Sequence, residues 1–441
     1  MNFNFLPTLK YMAAARIASR LTLNPEIVRM TEEEEKLPVF KQIFDCLRQE
    51  QWEAIEKQAE ELLTPYFPTK LRKLVVKFIR PMNSEYNEWL SDHYFDDKVD
   101  ENILKSCLSW KTDGTINRIE TAQELVRNEN IDLQSRFIMA CTYFLEDEIL
   151  VLWHKIKATK KAITRKGTNS AVRFWKKILN EGIANSWKQH VDVFFGESFI
   201  MSCDSQIRLS CFFDFLSPNN QKLYFSYYEE DKIQFNDFYL CLYKMDERER
   251  TEVLAENHLE ALYHCSKWPK QSLFLEMAKH FYNKLEIHHF ENILRSILDN
   301  CILKGLDYFD FQKLLEEFWH LTPAAYKEEL EKNGQLMKQI KIVLNHNKTD
   351  GSLFLGETLN KYMRKNLPDG STDEESKGKK KRKYLLKREW KRIMTFEDWI
   401  LITPETFDED DDEMNYFTAE IPPSSYPEKH CCKIYRSLYL R

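Results

Sequence analysis

Apolar residues recur along most of the chain at intervals of three and four, the spacing that lines one face of a helix. The clearest stretch is residues 253 to 344. Within residues 290 to 302 the apolar positions are 290, 293, 294, 297, 298, 301 and 302, which form one buried stripe. Near the start, Thr8 is placed to cap a helix on which Leu9, Met12, Ala13 and Ile17 share a face. Thr31 and Glu34 form a capping box for a second helix. Phe40, Ile43, Phe44 and Leu47 follow at helical spacing, until Pro65 and Pro68 break the pattern. A short helix over 71 to 78 is expected to stop at Pro81. Residues 82 to 114 carry no readable period.

The pattern returns with Ala122, Leu125 and Val126 on a short helix and Phe137, Ala140, Cys141, Phe144 and Leu145 on a second; Ile149, Leu152 and Trp153 continue it or begin a third. From residue 199 the chain reads as helical and aromatic again. Ser217 and Pro218 form an N-cap followed by a proline at the first helical position. Asp246 and Glu249 form a capping box before a helix over 253 to 265. Trp268 and Pro269 restart the chain into helices over 273 to 285, 290 to 302 and 311 to 319. Thr322 and Pro323 then cap a helix running towards Leu344, interrupted or kinked near Gly334.

Helix starts at intervals of roughly 15 to 30 residues pair into helical hairpins. The expected fold is therefore all-α: stacked helical hairpins, as an α-solenoid or an irregular helical bundle, with a flexible charged C-terminal tail. The expected organisation is an N-terminal helical unit over 1–100, a hairpin array over 101–345, a flexible charged linker over 346–385 and a tail over 386–441 with an acidic tract at 408 to 413. Composition agrees, because 10 glycines in 441 residues leave few positions for tight hairpins or phosphate loops.

Composition also narrows the chemistry. A net charge of -6 gives no general affinity for polyanions. The 10 cysteines sit mostly inside apolar runs with no C-x-x-C pair, which reads as free thiols in a reducing compartment. Lys10 and Arg16 interrupt any secretory h-region, and no run of about 20 apolar residues predicts a membrane span. Gly351 and Gly356 have phosphate-loop spacing, but Glu357 stands where the lysine belongs. His288 and His289 are adjacent, and adjacent helical residues diverge by about 100°, so they share no metal ion. No cofactor, metal site or catalytic residue is expected, and the chain reads as non-enzymatic.

The sharpest positive feature is a basic run that contains Lys157, Lys160, Lys161, Arg165, Lys166, Arg173, Lys176 and Lys177, with no acid between 149 and 180. Trp153, Phe174, Trp175 and Trp187 are interleaved or adjacent. Basic and aromatic side chains together suit nucleic acid. An acidic protein partner and a plain solvated face, with the tryptophans in the core, are the competing readings. The cluster at 377 to 383 would serve as a nuclear import signal in an otherwise cytoplasmic chain.

Two stretches resemble known families. The segment 137 to 149, with Ala140 and Cys141 followed by Glu148, Ile149 and Leu152, resembles an ankyrin repeat, with Phe144 near the place of the family's turn glycine. That resemblance implies stacked helical hairpins. Thr8, Leu9, Ala13 and Ile17 fit a pattern that resembles the first helix of a SOCS box, Ser/Thr-Leu-x-x-x-Cys-x-x-x-apolar, with Ala13 in place of the cysteine. The resemblance implies docking to an elongin adaptor of a cullin ubiquitin ligase, with Leu9 as the inserted anchor. The expected function is a protein-interaction scaffold. A ligase substrate adaptor and a nucleic-acid binder remain open beside it.

Overall fold

A computed structural model describes residues 5–35, 46–93, 95, 99–159, 169–196, 207–226, 235–346 and 359. Among them the chain forms 19 α-helices and no strand, so the fold is all-α. The order begins with α1 (Leu9–Leu21), α2 (Pro25–Glu35), α3 (Cys46–Leu63), α4 (Thr69–Ser91) and α5 (Glu101–Ser106). It continues with α6 (Arg118–Arg127), α7 (Leu133–Tyr143), α8 (Glu146–Thr159), α9 (Ser170–Glu181) and α10 (Val191–Phe194). Next come α11 (Pro218–Ser226), α12 (Phe235–Lys244), α13 (Glu247–Glu256), α14 (His258–Ser266) and α15 (Phe274–His280). The last are α16 (Ile287–Ile297), α17 (Phe311–Leu321), α18 (Ala324–Glu331) and α19 (Gly334–Leu344). Two compact units form, one from Met1–Val28 and Gln58–Met277, the other from Arg29–Lys57 and Ala278–Arg441.

In the first unit α1 packs along α4. The expectation that Pro81 ends a short helix is corrected, since α4 runs for 23 residues with Pro81 inside it. Proline withholds one N–H from the ladder, a cost of about 3 kcal/mol in an isolated helix. Here Val75, Val76, Phe78, Ile79, Met82, Tyr86 and Trp89 are buried on the same helix. Each large apolar side chain so buried contributes about 1.5–3 kcal/mol, which outweighs the missing rung.

Helices α6 to α9 follow as neighbours, α6 against α7 and α7 against both α8 and α9. Their starts are written in short polar caps: Asn117, Asp132 and Asn169 each accept backbone N–H groups of the first turn. Ile149, Leu152 and Trp153 begin a third helix, separated from α7 by Phe144 in the left-handed conformation at φ 59°. A non-glycine residue there is strained. The Phe144 ring is the compensation, lying 4.8 to 5.3 Å from the rings of Trp175, Trp187 and Phe212. On α9 the buried face is Ala171, Val172, Phe174, Trp175, Ile178 and Leu179. Phe174 continues the aromatic core to Phe195 and Phe212, at 5.5 and 4.8 Å.

Three further expectations are corrected. The stretch over 207 to 217 is irregular, with one 3-10 turn at Phe213–Phe215, because it is pinned by side chains rather than by a helical ladder. The helix expected over 253 to 265 is two helices, broken at Asn257, whose side chain bonds the Val253 carbonyl at 2.9 Å. Residues 273 to 285 form α15 between two 3-10 turns rather than one helix. In the second unit the run from 322 to 344 is interrupted next to Gly334, as the sequence predicts, into α18 and α19. Asn333 divides them by capping α19 and donating to Glu291 at 3.0 Å.

The stripe over 290 to 302 is α16 continued by a π-turn at Leu298–Ile302, in which the Leu303 N–H bonds the Leu298 carbonyl at 2.8 Å. Helix α16 packs on α17, and α17 and α18 both pack on α19. Phe290 stacks on Phe318 at 5.3 Å. The linker and tail expected beyond residue 345 lie outside the described residues, apart from residues 346 and 359.

Candidate functional site

Helix α1 has two apolar faces. Its alanines Ala14, Ala15 and Ala18 are fully buried. Tyr11 anchors it, stacking against Phe78 and Trp268 at 4.6 and 5.6 Å and donating its hydroxyl to the Asp113 carbonyl at 3.2 Å. Thr8 is the N-cap, accepting the Tyr11 N–H at 3.2 Å. The stripe singled out in the sequence is not the buried one. Leu9 is 82% exposed, as is Leu6, while Ala13 is exposed and Ile17 half-buried. Lys10, Arg16 and Arg20 flank this outer ridge, and no acid occurs before Glu26.

The basic run divides. Lys160, Lys161, Arg165 and Lys166 lie outside the described residues. Lys157 is exposed at the end of α8, over the Trp153 ring at 5.2 Å. Arg173 and Lys177 are exposed on the outer face of α9, Lys176 is half-buried, and Lys177 lies 5.6 Å from the Phe194 ring. The aromatics that would stack bases are core: Trp153, Phe174, Trp175 and Trp187 are all buried. The described cations thus present charge, and the interleaved rings hold the helices together.

Sequence reasoning missed a polar cluster inside the first unit. Arg118, at the start of α6, donates to Asp92 at 2.5 Å. With the Asn236 amide oxygen turned toward it, the same guanidinium donates to that oxygen through Nε, Nη1 and Nη2 at 2.5 to 3.1 Å. Arg208 donates to the Asp92 carbonyl at 2.9 Å across 116 residues of sequence. His93 donates from Nδ1 to the Trp89 carbonyl at 2.5 Å, which leaves Nε2 to accept the Tyr143 hydroxyl at 2.8 Å. Burial first, then Arg208 and Arg118, hold the His93 pKa well below its ordinary value, so the ring is neutral. No local motif marks these residues, because apart from the adjacent Asp92 and His93 they come from separate segments.

Glu85 adjoins the cluster, accepting the Ile116 N–H at 3.1 Å. Burial pushes its carboxyl from 4.5 up to about 7, against the pull of Arg118. A carboxyl raised on folding contributes stability below the unfolded value, and that contribution is lost as pH rises through the window from 4.5 to about 7. Glu85→Gln imitates the protonated acid and still accepts from Ile116. It is expected to raise the urea midpoint at pH 8 and leave it unchanged at pH 4. His93 works in the opposite direction, since its depressed pKa costs stability as pH falls below 6.5.

Among the described residues, no group of three His, Cys, Asp or Glu is placed to hold a metal ion, and no helix is long and apolar enough to cross a membrane. The described cysteines are free thiols; Cys107, Cys141, Cys241 and Cys265 are buried. No family model, no curated protein and no solved structure matches the chain.

Proposed function

We propose that this chain is a non-enzymatic protein-interaction scaffold that engages its partner through the outer face of α1. The observation that carries the reading is the outward apolar face of a helix whose opposite face is packed. Its alanine face is spent on the fold, and Tyr11 fixes its position. Leu9 and Ala13, one turn apart, are left in water beside Leu6. A rigid apolar ridge is a low-entropy anchor for a groove, as in other helix-in-groove recognition. Lys10, Arg16 and Arg20 suit a groove with an acidic rim.

The order of residues on the ridge favours a second reading of the same surface. Thr8 caps the helix, and Leu9 and Ala13 are exposed in the register implied by the SOCS-box resemblance. In that reading the chain is a substrate adaptor of a cullin-type ubiquitin ligase, and Leu9 enters an elongin adaptor.

Leu9→Asp tests both. An exposed leucine contributes little to the fold, so the unfolding free energy is expected to shift by no more than about 0.5 kcal/mol. A central anchor costs at least about 2 kcal/mol of binding when lost, or roughly 30-fold in Kd. Titration of intact chain against a purified elongin adaptor should then show binding that Leu9→Asp abolishes. Failure of the wild type to bind removes the ligase reading. Partner retention that Leu9→Asp leaves intact removes the ridge as the interaction surface.

A further inference from the structure

In the first unit, the turn after α14 presents Lys270 to an aromatic wall. Tyr239 and Tyr243 lie one turn apart on α12, and the Lys270 amine stands 6.0 and 5.7 Å from their ring centroids. His264 stacks on Tyr239 with centroids 3.5 Å apart and planes inclined by 15°. Tyr239 is itself held by a hydroxyl bond to the Glu260 carbonyl at 2.8 Å. The amine bonds the Nε2 atom of His264 and the Tyr243 hydroxyl, the latter at 3.4 Å.

The neighbouring Lys267 is different. It pairs with Glu88 at 2.7 Å. Among the described residues no carboxylate is within ion-pair distance of Lys270. The wall opens outward at Tyr243, which is 38% exposed. An amine with an imidazole nitrogen to take its proton, a phenol beside it and flat rings on one side is the donor set of an imine-forming lysine.

We propose that Lys270 is a covalent capture site for small planar aldehydes, which condense with its amine against the Tyr239–His264 stack. The neutral amine attacks the carbonyl carbon and the N–C bond forms. The nitrogen proton passes to His264 Nε2. The ring returns that proton to the alkoxide oxygen to give the carbinolamine; the second N–H proton follows the same route as the hydroxyl leaves as water and the C=N bond closes. Amine and aldehyde give imine and water, with no oxidant or reductant. The Tyr243 hydroxyl is placed to donate to the carbonyl oxygen as charge grows there.

The charge environment supports a neutral amine. Burial brings the Lys270 pKa from 10.5 down to about 8, with Lys111 acting in the same direction and Cys265, Asp113 and Glu85 opposing. At pH 7.5 roughly two hundredfold more of it is unprotonated than of an ordinary lysine. Burial, then Lys270 and Lys267, also hold the His264 pKa well below its ordinary value, so the ring accepts rather than donates at Nε2. The nearby Cys265 thiol is pushed up to about 12 by burial and does not compete as a nucleophile.

The test treats the folded full-length chain at pH 7.5 with limiting 2-hydroxybenzaldehyde and cyanoborohydride, then maps modified lysines by mass spectrometry. Lys270 is expected to be labelled at least about tenfold faster than Lys332, whose side chain is 71% exposed. Its rate should climb with pH and level off near 8, and the advantage should vanish in urea. Tyr243→Phe should slow the reaction while leaving Lys270 the preferred site. Labelling of Lys270 at or below the rate of Lys332 in the folded wild-type chain overturns the proposal.

Discussion

Replacing Arg118 by methionine is expected to lower the stability of the first unit by about 3 kcal/mol, because removing one partner of a buried pair strands the other. The guanidinium is 11% exposed and Asp92 is 22% exposed. Arg118 joins α6 to α4 through Asp92 and to α12 through Asn236. Methionine fills much of the same volume but offers no donor. Asp92 then loses its guanidinium partner, and the Asn236 oxygen loses its donors. The partial exposure of Asp92 lets water relieve part of the cost, so the lower end of the usual range applies. A second substitution checks the cause. Asp92→Asn in the Arg118→Met background should recover part of the loss, a coupling of about 1 kcal/mol or more in a urea titration. Equal losses from the single and double variants would assign the effect to packing rather than to charge.

Asp237→Ala is expected to cost about 3 kcal/mol or more, because its carboxylate serves three buried donors at once. It accepts the Leu209 N–H at 2.7 Å, the Ser210 N–H at 3.1 Å and the Tyr224 hydroxyl at 2.7 Å. Asp237 is 2% exposed and Tyr224 is fully buried, so water cannot replace the lost acceptor. Each stranded donor costs about 1–3 kcal/mol. The irregular stretch that starts at 207 depends on this carboxylate for order, so its amides should exchange faster in the variant. Adding Tyr224→Phe removes one stranded hydroxyl and should partly restore stability in thermal melts. Burial and then Asp237 push the Cys241 thiol well above its ordinary pKa, and they push that of Cys211 up to about 11. Neither thiol is reactive, and the cluster acts by holding the fold.

These two substitutions mark where the chain stops being readable from sequence. Local features were legible. Asp246 caps α13, accepting the Glu249 N–H at 2.8 Å, and α11 begins at Pro218. The apolar stripe from Phe290 onward is a helix with a buried face. Each of these depends on residues within a turn or two of one another. Pro81 misled because a local rule was outvoted by tertiary burial, and Asn257 because a side-chain bond to the backbone breaks a helix whose apolar period continues. Arg118, Asp92, Arg208 and Asn236 are unremarkable polar residues until folding brings them together. The α1 ridge was legible as a stripe, but its orientation was not. Leu9 and Ala13 carry the larger period, yet the close approach to α4 selects the small Ala14, Ala15 and Ala18, and the leucine faces out.

That outward ridge is the centre of the functional account, and a photocrosslinking amino acid at position 9 tests it most directly. The full chain carrying a benzoyl-phenylalanine there, irradiated in its own cells, is expected to give a discrete higher-mass adduct with a partner protein. The same residue at position 124, exposed on α6, is expected to give none. An absence of adduct at position 9, or the same adducts from both positions, would contradict the account.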